Sequence, residues 1–575
     1  MQLRMNTTLK KAWGIALALV ISKGSGAQTH APDKIFINGK VLTIDSSNSI
    51  VQALAIRNGR IEAVGSTAQI SRLKGKSTAV IDLKGKTVVP GFIDGHSHFM
   101  GLGQLDLVNI AAPPVGKVTS IAGLVEEVRK FRDERKIKAG QWIAAYGYDQ
   151  DQLTEKRHPA KEDLDAVFPD NPVLLGHISG HMLVANSAAL RLAGITAATK
   201  DPDGGMIIRK PGSSEPAGLL QENAQALVMK ELNKQKPSPE KQMDQIRRQQ
   251  VFYASFGITT AQDGFTSQES LDLLKQAASE GKLFLDVVAL PSFVLLDKII
   301  ADPAAYKFGF YDKRLKLDGI KLSSDGSPQG KTAFFSKPYL TPVPGCDDHC
   351  TGFPTITQEK FNEVVLKCFS HNLHLYTHCN GDGAIDMYIE AVKNANKELH
   401  SGSIGRRTVV IHSQFVRDDQ LDQYKELGLM PSFFTNHAFF WGDVHTQNLG
   451  KERAAFLSPL HSAGRKGIIY TNHTDYPVTP VNPLFLLWTS VNRLSRSGQV
   501  IGAEERISVA EGLRAITING AWQYHEEKDK GSVEKGKLAD LAILSDDPLS
   551  VEPARIRDIE VLETIKEGKT IYRKN

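Results

Sequence analysis

The feature that most constrains this 575-residue chain is a repeated alternation, through its middle, of short apolar runs and longer amphipathic stretches. The apolar runs include PVLLGHIS, DVVAL, LKLDGIKLSS, HLYTHC, TVVIHS and KGIIYTNHTD, and the stretches between them include TSIAGLVEEVRKFRDERK and TQEKFNEVVLKCFSHN. Continuous apolar runs are typical of strands buried on both faces, and strands that alternate with helices form parallel sheets. The pattern therefore predicts an α/β fold, a distorted (β/α)₈ TIM barrel with insertions.

Both ends of the chain carry a different pattern, in which apolar and polar residues alternate between tight turns. It runs from Lys34 to Ser66 and returns near the other end in GSVEKGKLADLAIL and IEVLETIKEGKTIY. Such alternation indicates short antiparallel strands. We therefore predict a small composite β-sandwich domain formed from both termini. Its N-terminal part is residues 28–90, the barrel is residues 91–500, and residues 501–575 hold the last barrel helix and the C-terminal part.

The first residues have the layout of a secretory signal peptide, with basic residues, a short apolar core and small residues before Gln28. We predict a signal peptide of residues 1–27, cleaved near Ala27, and export to the bacterial periplasm. The alternative is an N-terminal membrane anchor, although the apolar run is short for a span, and no later segment resembles one. Residues 1–27 hold four basic and no acidic side chains, so the formal charge falls from +5 to +1 on cleavage. A near-neutral chain gives no compositional reason to expect nucleic acid as a partner.

The four cysteines divide into two pairs. Cys346 and Cys350 lie in a Pro/Gly-rich loop, where a local disulfide is expected in an exported protein. A zinc site is the alternative, but only His349 is a further ligand nearby. Cys368 and Cys379 are predicted to be buried thiols.

Two histidines follow the apolar run that ends at Pro90, in VVPGFIDGHSHFMG. Side chains at i and i+2 of a strand point the same way, so His96 and His98 can face one metal ion at the end of the first barrel strand. Two polar residues in a turn would give the same letters, and an HxH pair alone is a weak signal.

Further polar residues end later apolar runs at spacings that fit strands 4, 5, 6 and 8 of a barrel: Lys321, His378, His412 and Asp475. Each alone has a plainer reading, namely a hydrogen-bonded core histidine, a solvated or salt-bridged lysine or a helix N-cap. Together with the first pair they predict a site for Zn²⁺, with one or two divalent ions. Lysine can join only as a carbamate formed with CO₂, and Asp475 can serve as ligand and general base.

Several motifs resemble the amidohydrolase superfamily, and within it the metal-dependent hydrolases of the YtcJ and N-substituted formamide deformylase type. They are PGFIDGHSH, IKLSSDGS, HCNGDGAI, IHSQFV, TDYPV, PVLLGHISGHMLVANSAAL, EPAGLL and GSVEKGKLADLAIL. The resemblance implies a distorted barrel, a composite β-sandwich and hydrolysis of amide-type C–N bonds. It implies metal ligation by His96, His98, carboxylated Lys321, His378, His412 and Asp475.

The resemblance also matches His181 to a pocket histidine that contacts substrate or the oxyanion, with a structural, loop-holding role as the alternative. Three features depart from the pattern: His473 in TNHTDYPV, Gln329 with Lys331, and the CDDHC loop.

The leading interpretation is an exported metal-dependent hydrolase acting on a small N-acyl or N-formyl amine. Ester or lactam hydrolysis at the same site, and a non-catalytic periplasmic binding or regulatory protein, are the alternatives. Besides the small-molecule substrate, the expected partner is a second copy in a homodimer.

Overall fold

A computed structural model describes residues 31–102, 106–113, 115–234, 237–343, 346 and 349–575, and its fold is mixed α/β. The predicted signal peptide, residues 1–27, lies outside this part of the chain. Among the described residues, none of the helices combines the length and apolar character that crossing a membrane requires.

The described chain begins with seven short strands and one helix: β1 (Lys34–Ile37), β2 (Lys40–Leu42), β3 (Ile50–Val51), β4 (Ala53–Arg57), β5 (Arg60–Gly65), α1 (Thr67–Ser71), β6 (Ala79–Asp82) and β7 (Thr87–Pro90). Four of them form a sheet in the order β5-β4-β1-β6. The β4–β5 hairpin turns at Asn58 and Gly59, which both have positive φ. A two-residue turn of this kind requires that conformation, which explains the Asn-Gly pair there.

One parallel strand, β8 (Phe92–Ile93), is followed by a long insertion. The insertion contains β9 (Val108–Asn109), α2 (Ile121–Arg135), β10 (Ile143–Tyr148), α3 (Lys161–Asp165), β11 (Val173–His177), β12 (Met182–Ala185), α4 (Ser187–Leu192), β13 (Gly205–Arg209), β14 (Pro216–Glu222) and α5 (Ala226–Leu232). Its strands form a separate sheet in the order β13-β14-β12-β11-β10-β9. This inserted sheet has its own buried apolar residues, among them Leu175 and Leu220.

The middle of the chain then alternates strands and helices as the sequence pattern predicts. These elements are α6 (Pro239–Ala254), β15 (Ile258–Thr266), α7 (Gln268–Ser279), β16 (Asp286–Pro291), α8 (Leu296–Ala301), β17 (Tyr311–Asp312), β18 (Leu315–Leu317), β19 (Gly319–Ser323), α9 (Gln358–Ser370), β20 (His374–Cys379), α10 (Asp382–Glu398), β21 (Val409–His412), α11 (Asp418–Leu427), β22 (Met430–Phe433), α12 (Asn436–Leu449), α13 (Lys451–Ala455), α14 (Leu460–Arg465), β23 (Thr471–Asn472), α15 (Pro483–Asn492), α16 (Val509–Ala515) and α17 (Ile518–Gln523).

Nine strands, β8 among them, run parallel to a neighbour in two sheets. One sheet has the order β17-β18-β16-β15-β8 and the other the order β19-β20-β21-β22-β23. A parallel bridge between Ser292 and Lys321 joins the two sheets. At the other seam, Asp475 N donates to His96 O at 3.1 Å and His98 N donates to Tyr476 O at 2.8 Å. The residues that follow β23 therefore lie directly beside those that follow β8.

The last strands, β24 (Leu541–Leu544), β25 (Val561–Lys566) and β26 (Lys569–Arg573), return to the start of the chain. They share a six-stranded sheet with N-terminal strands, in the order β26-β25-β24-β7-β2-β3. The predicted domain limits, residues 28–90, 91–500 and 501–575, stay predictions.

A buried ion cluster ties the C-terminal strands to the parallel sheet. The carboxylate of Asp286, the first residue of β16, lies 2.6 Å from the Nζ of Lys530 and 2.8 Å from the Nζ of Lys566. All three side chains are at most 6% exposed, so the charges neutralise one another away from water.

The predicted disulfide between Cys346 and Cys350 is confirmed, and Cys368 and Cys379 are buried free thiols as expected. The alternative of a zinc site in this loop is therefore wrong.

Candidate metal centre

Two histidines that follow β8 converge on one carboxylate oxygen that follows β23. The Nε2 atoms of His96 and His98 lie 3.4 and 3.3 Å from Oδ1 of Asp475. This oxygen is buried and has no hydrogen-bond partner among the described residues. A buried, unsatisfied carboxylate oxygen is costly unless a cation neutralises it. The donor set therefore fits a divalent cation.

The strand geometry predicted for His96 and His98 is wrong in one respect. Strand β8 ends at Ile93, so the i, i+2 alternation of a strand does not extend to the two histidines. Their rings meet edge to face, with centroids 5.2 Å apart, rather than side by side. The two backbone hydrogen bonds across the β8–β23 seam bring both rings to Asp475.

His412, the last residue of β21, completes a group that can hold one metal ion. One ligand atom from each of His96, His412 and Asp475 lies within 4.8 Å of the others, and all three side chains are buried. Imidazole nitrogen and carboxylate oxygen are ligands that Zn²⁺ accepts.

His378, on the neighbouring strand β20, extends the centre. Its Nδ1 lies 3.1 Å from Nε2 of His412, and its Nε2 lies 3.3 Å from Oδ1 of Asp325. The Asp325 carboxylate also accepts hydrogen bonds from the backbone of Asn380 and Gly381 at 3.0 and 2.8 Å. Asp325 thus holds the loop after β20 against His378. This aspartate belongs to the motif IKLSSDGS, but its place in the sequence predicts no role for it.

Lys321 lies in the middle of β19 rather than at the end of a strand, which corrects the prediction from sequence. Its Nζ lies 3.0 Å from Nε2 of His96. Burial lowers the pKa of Lys321 to about 7. A substantial share of the side chain is therefore neutral near neutral pH, and a neutral amine is the form that reacts with CO₂.

The inserted sheet contributes a second pair of ionisable groups. Nδ1 of His181 lies 2.9 Å from Oε2 of Glu222, and the two ring centroids of His181 and His378 are 5.7 Å apart. Glu222 has a φ of +48°, rare for a residue other than glycine, and its Oε1 is buried without a hydrogen-bond partner among the described residues. Strained residues of this kind cluster at functional sites. The glutamate ends EPAGLLQE, but nothing in that motif singled it out.

His473, noted from sequence only as a departure, is part of the centre. Its Nε2 lies 3.1 Å from Nδ1 of His412, and its ring stacks on Phe434 with centroids 5.0 Å apart. His473 therefore contacts Nδ1 of His412, whereas His378 contacts Nε2 of the same ring.

The whole chain has clear relatives. The sequence profile of the amidohydrolase family matches residues 79–572. The chain is 27% identical to the N-substituted formamide deformylase of Arthrobacter pascens, with 95% of this chain and 99% of that protein covered. It is 27% identical to YtcJ of Bacillus subtilis, which is named as an amidohydrolase, with 94% and 99% covered. A solved structure, an uncharacterized metal-dependent hydrolase from Pyrococcus furiosus, is similar with a TM-score of 0.69 at 29% identity, covering 90% of this chain and 100% of that one.

Proposed function

This chain belongs to the amidohydrolase family and is a hydrolytic enzyme, and from that premise we propose that it cleaves the C–N bond of a small N-acyl or N-formyl amine. The resemblance predicted from its motifs is confirmed. The N-formyl class is favoured by the name of the deformylase relative. The observation that carries the proposal is the convergence of His96 and His98 on the unsatisfied oxygen of Asp475, with a ligand atom of His412 within 4.8 Å of those of His96 and Asp475.

We propose that His96, His98, His378, His412, Asp475 and Lys321 hold one or two divalent ions, with Zn²⁺ the leading candidate. When bound, such an ion polarises a carbonyl oxygen and acidifies a water molecule. Burial alone would raise the pKa of Asp475, but its histidine neighbours, His98 foremost, lower it overall. Asp475 is therefore ionised, takes a proton from the attacking water and passes it to the leaving amine.

His181 is proposed to act on the other side of the scissile bond. Burial opposes its charged form, but the adjacent carboxylate of Glu222 raises the pKa of His181 overall. A protonated imidazole can donate a hydrogen bond to the oxygen on which negative charge develops. Its ring contacts that of His378, with centroids 5.7 Å apart, so it borders the proposed ligands directly.

Lys321 is proposed to be N-carboxylated. Its neutral amine adds to the carbon of CO₂ and loses one proton to solvent, and the resulting carbamate offers two oxygens to the centre. The support is complete burial, a pKa of about 7 and contact with His96. If Lys321 stays unmodified, a single ion is the expected occupancy.

We infer that these parallel strands close as a distorted (β/α)₈ barrel, in which β18 and β19, separated only by Asp318, count as one barrel strand. Support comes from the Ser292–Lys321 bridge at one seam and the hydrogen bonds between the loops after β8 and β23 at the other. The proposed ligands then cluster at the carboxyl ends of the strands, where barrel enzymes carry their active sites. The sheets formed by the two termini are inferred to pack as the composite β-sandwich domain.

A cavity of about 800 Å³ is proposed to accept the non-reacting part of the substrate. Phe439, Phe440, Phe485 and Arg496 are among its lining residues. It contains none of the proposed ligands, but Phe440 shares a buried cluster with Phe434, whose ring stacks on His473. A pocket of this size and lining suits a small apolar or aromatic substituent.

A substrate panel tests the proposal. N-formyl and N-acetyl derivatives of an aromatic amine and of methylamine are compared with matched esters and lactams, and the carboxylic acid group formed by each hydrolysis is measured. We expect hydrolysis of the amides, with the aromatic ones favoured. Faster turnover of esters or lactams would establish the first alternative. Stoichiometric metal with no turnover of any compound would favour the binding or regulatory protein.

Export is also part of the proposal. We propose that residues 1–27 are a signal peptide, removed near Ala27, and that the enzyme acts in the periplasm. Intact mass of protein from the periplasmic fraction tests this, because an unprocessed chain would contradict it.

A further inference from the structure

One backbone carbonyl beside the metal centre is shared by two buried glutamines. Gly95 O accepts hydrogen bonds from Nε2 of Gln262 at 3.1 Å and from Nε2 of Gln523 at 2.8 Å. A carbonyl oxygen cannot donate, so both amides must turn their NH₂ groups towards Gly95. Their own carbonyl oxygens therefore face away from it, and the orientation of each amide is fixed.

A single hydrogen bond links Gln262 to the first histidine. Its Oε1 lies 2.6 Å from Nδ1 of His96. An amide oxygen only accepts, so Nδ1 of His96 carries the proton. The unprotonated nitrogen of the ring is then Nε2, the atom that faces Asp475 Oδ1 at 3.4 Å.

The link from Gln523 begins with two hydroxyl groups. Oε1 of Gln523 accepts the hydroxyl proton of Thr471 at 2.7 Å. The oxygen of Thr471 lies 2.8 Å from that of Ser432. Because the only hydroxyl proton of Thr471 is already donated, Ser432 must donate to Thr471. The oxygen of Ser432 is then free to accept from Nδ1 of His473, which lies 3.0 Å away.

His473 links Ser432 to His412 through the two nitrogens of its ring. Its ring is 1% exposed, and a neutral ring has one proton, which Nδ1 donates to Ser432. Its Nε2 is therefore an acceptor and receives the proton of His412 Nδ1 across 3.1 Å. The unprotonated nitrogen of His412 is Nε2, the atom that faces His378.

We propose that the Gly95 carbonyl fixes the tautomers of His96 and His412. It acts on His96 through Gln262, and on His412 through the hydrogen-bonded series Gln523–Thr471–Ser432–His473. Both rings then present an unprotonated Nε2 to a divalent cation. The inference rests on the proposed function in that the two histidines hold the ion. The residues of these two hydrogen-bonded series are positioning residues, because they act on the ion only through the histidines. Loss of such a partner typically lowers metal affinity by about 10–100-fold.

Three threonine variants test the hydrogen-bonded series from Gln523 to His412. Thr471→Val keeps the shape but removes the hydroxyl, whereas Thr471→Ser keeps the hydroxyl. Thr260→Val is the matched control, because Thr260 is fully buried in β15 and its hydroxyl has no partner among the described residues. Zinc affinity, measured by competition with a chromogenic chelator, is expected to fall about 10–100-fold in Thr471→Val alone.

A direct readout of the tautomers accompanies the affinity. Histidine ¹⁵N spectra of the metal-free wild-type protein are expected to show the proton on Nδ1 of both His96 and His412. In Thr471→Val, the His412 signal should shift towards a mixture of tautomers while the His96 signal stays. Gln262→Met is expected to shift the His96 signal and to leave the His412 signal unchanged. This variant provides the test if Thr471→Val fails to fold.

Two results would overturn the inference: wild-type protein with the proton on Nε2 of either ring, or a folded Thr471→Val with unchanged zinc affinity. Neither measurement uses turnover. Absence of amide hydrolysis would therefore count against the proposed function alone.

Discussion

Nδ1 of His181 lies 2.9 Å from Oε2 of Glu222, so the inserted sheet brings an ion pair to the edge of the metal centre. Burial disfavours the charge on His181, but Glu222 reverses that effect and raises the pKa of the imidazole above its usual value. The imidazole therefore keeps its proton to higher pH than a free histidine does. The pair therefore favours the protonated form of the imidazole at the edge of the centre.

Replacement of Glu222 by glutamine should move the pH dependence of catalysis. The protonated form of His181, which is the proposed active form, exists below its pKa, and the variant lacks the charge that raises this pKa. We expect the alkaline limb of kcat/KM to shift to lower pH, with a loss of about 10²-fold or more on that limb. Glu231→Gln, which alters a surface pair with Lys234, is the control. An unmoved alkaline limb would assign His181 a structural role.

Replacement of Asp475 by asparagine removes a proposed ligand and the proposed base while keeping the shape of the side chain. We expect kcat/KM to fall by about 10²–10⁴-fold and the bound metal to decrease. Metal content by mass spectrometry and initial rates are the measurements, with Asp312→Asn on the surface hairpin as the control. Unchanged metal and rate would remove Asp475 from the site.

Carboxylation of Lys321 should depend on pH in a defined direction. The amine is neutral above its pKa of about 7, so uptake of CO₂ is expected to rise as the pH rises through this value. Protein incubated with ¹³C-bicarbonate should show a carbamate signal by NMR that Lys321→Met lacks. A wild-type protein without the signal above about pH 7 would indicate an unmodified lysine and a single ion.

The buried ion cluster should make the protein sensitive to loss of Asp286. Without its carboxylate, the Nζ atoms of Lys530 and Lys566 lose a buried partner. We expect the free energy of unfolding to fall by about 3–5 kcal/mol in urea denaturation. A loss below about 1 kcal/mol, the range of an exposed pair, would contradict the burial of these charges.

The contribution of the Asp286 carboxylate to the free energy of unfolding should disappear at low pH. Burial alone would raise the pKa of Asp286, but Lys530 and Lys566 lower it well below the usual range. Its contribution is therefore present above the ordinary pKa of an aspartate and is lost as the pH falls through the lowered value. The difference between wild type and Asp286→Ala should shrink in strongly acidic solution.

The sequence predicts most of the centre because its residues are tied to local patterns. His378 and His412 each lie at or next to the end of a buried apolar run, and the run itself is visible in the letters. Lys321 was found in the same way, although it lies within its strand. The Asp475 prediction also used spacing along the chain, since it follows a strand of only two residues.

The residues that orient these groups were beyond sequence reasoning. Gln523 contacts Gly95 across 428 positions, and Gln262 contacts His96 across 166. Buried glutamines have no local pattern that separates them from surface ones. Glu222 reaches His181 only because two strands of the inserted sheet lie side by side, and that pairing follows from packing rather than from composition.

The inserted sheet makes the proposed reaction centre modular. His181 and Glu222 are carried by residues packed on the insertion's own apolar cores, whereas the proposed ion-holding histidines are carried by the strands of the parallel sheets. Substitutions within residues 108–222 can therefore change the surroundings of the proposed acid, His181, without repacking the strands that carry the proposed ligands. Adaptation to a substrate with a different leaving group could therefore proceed by substitutions in the inserted sheet alone.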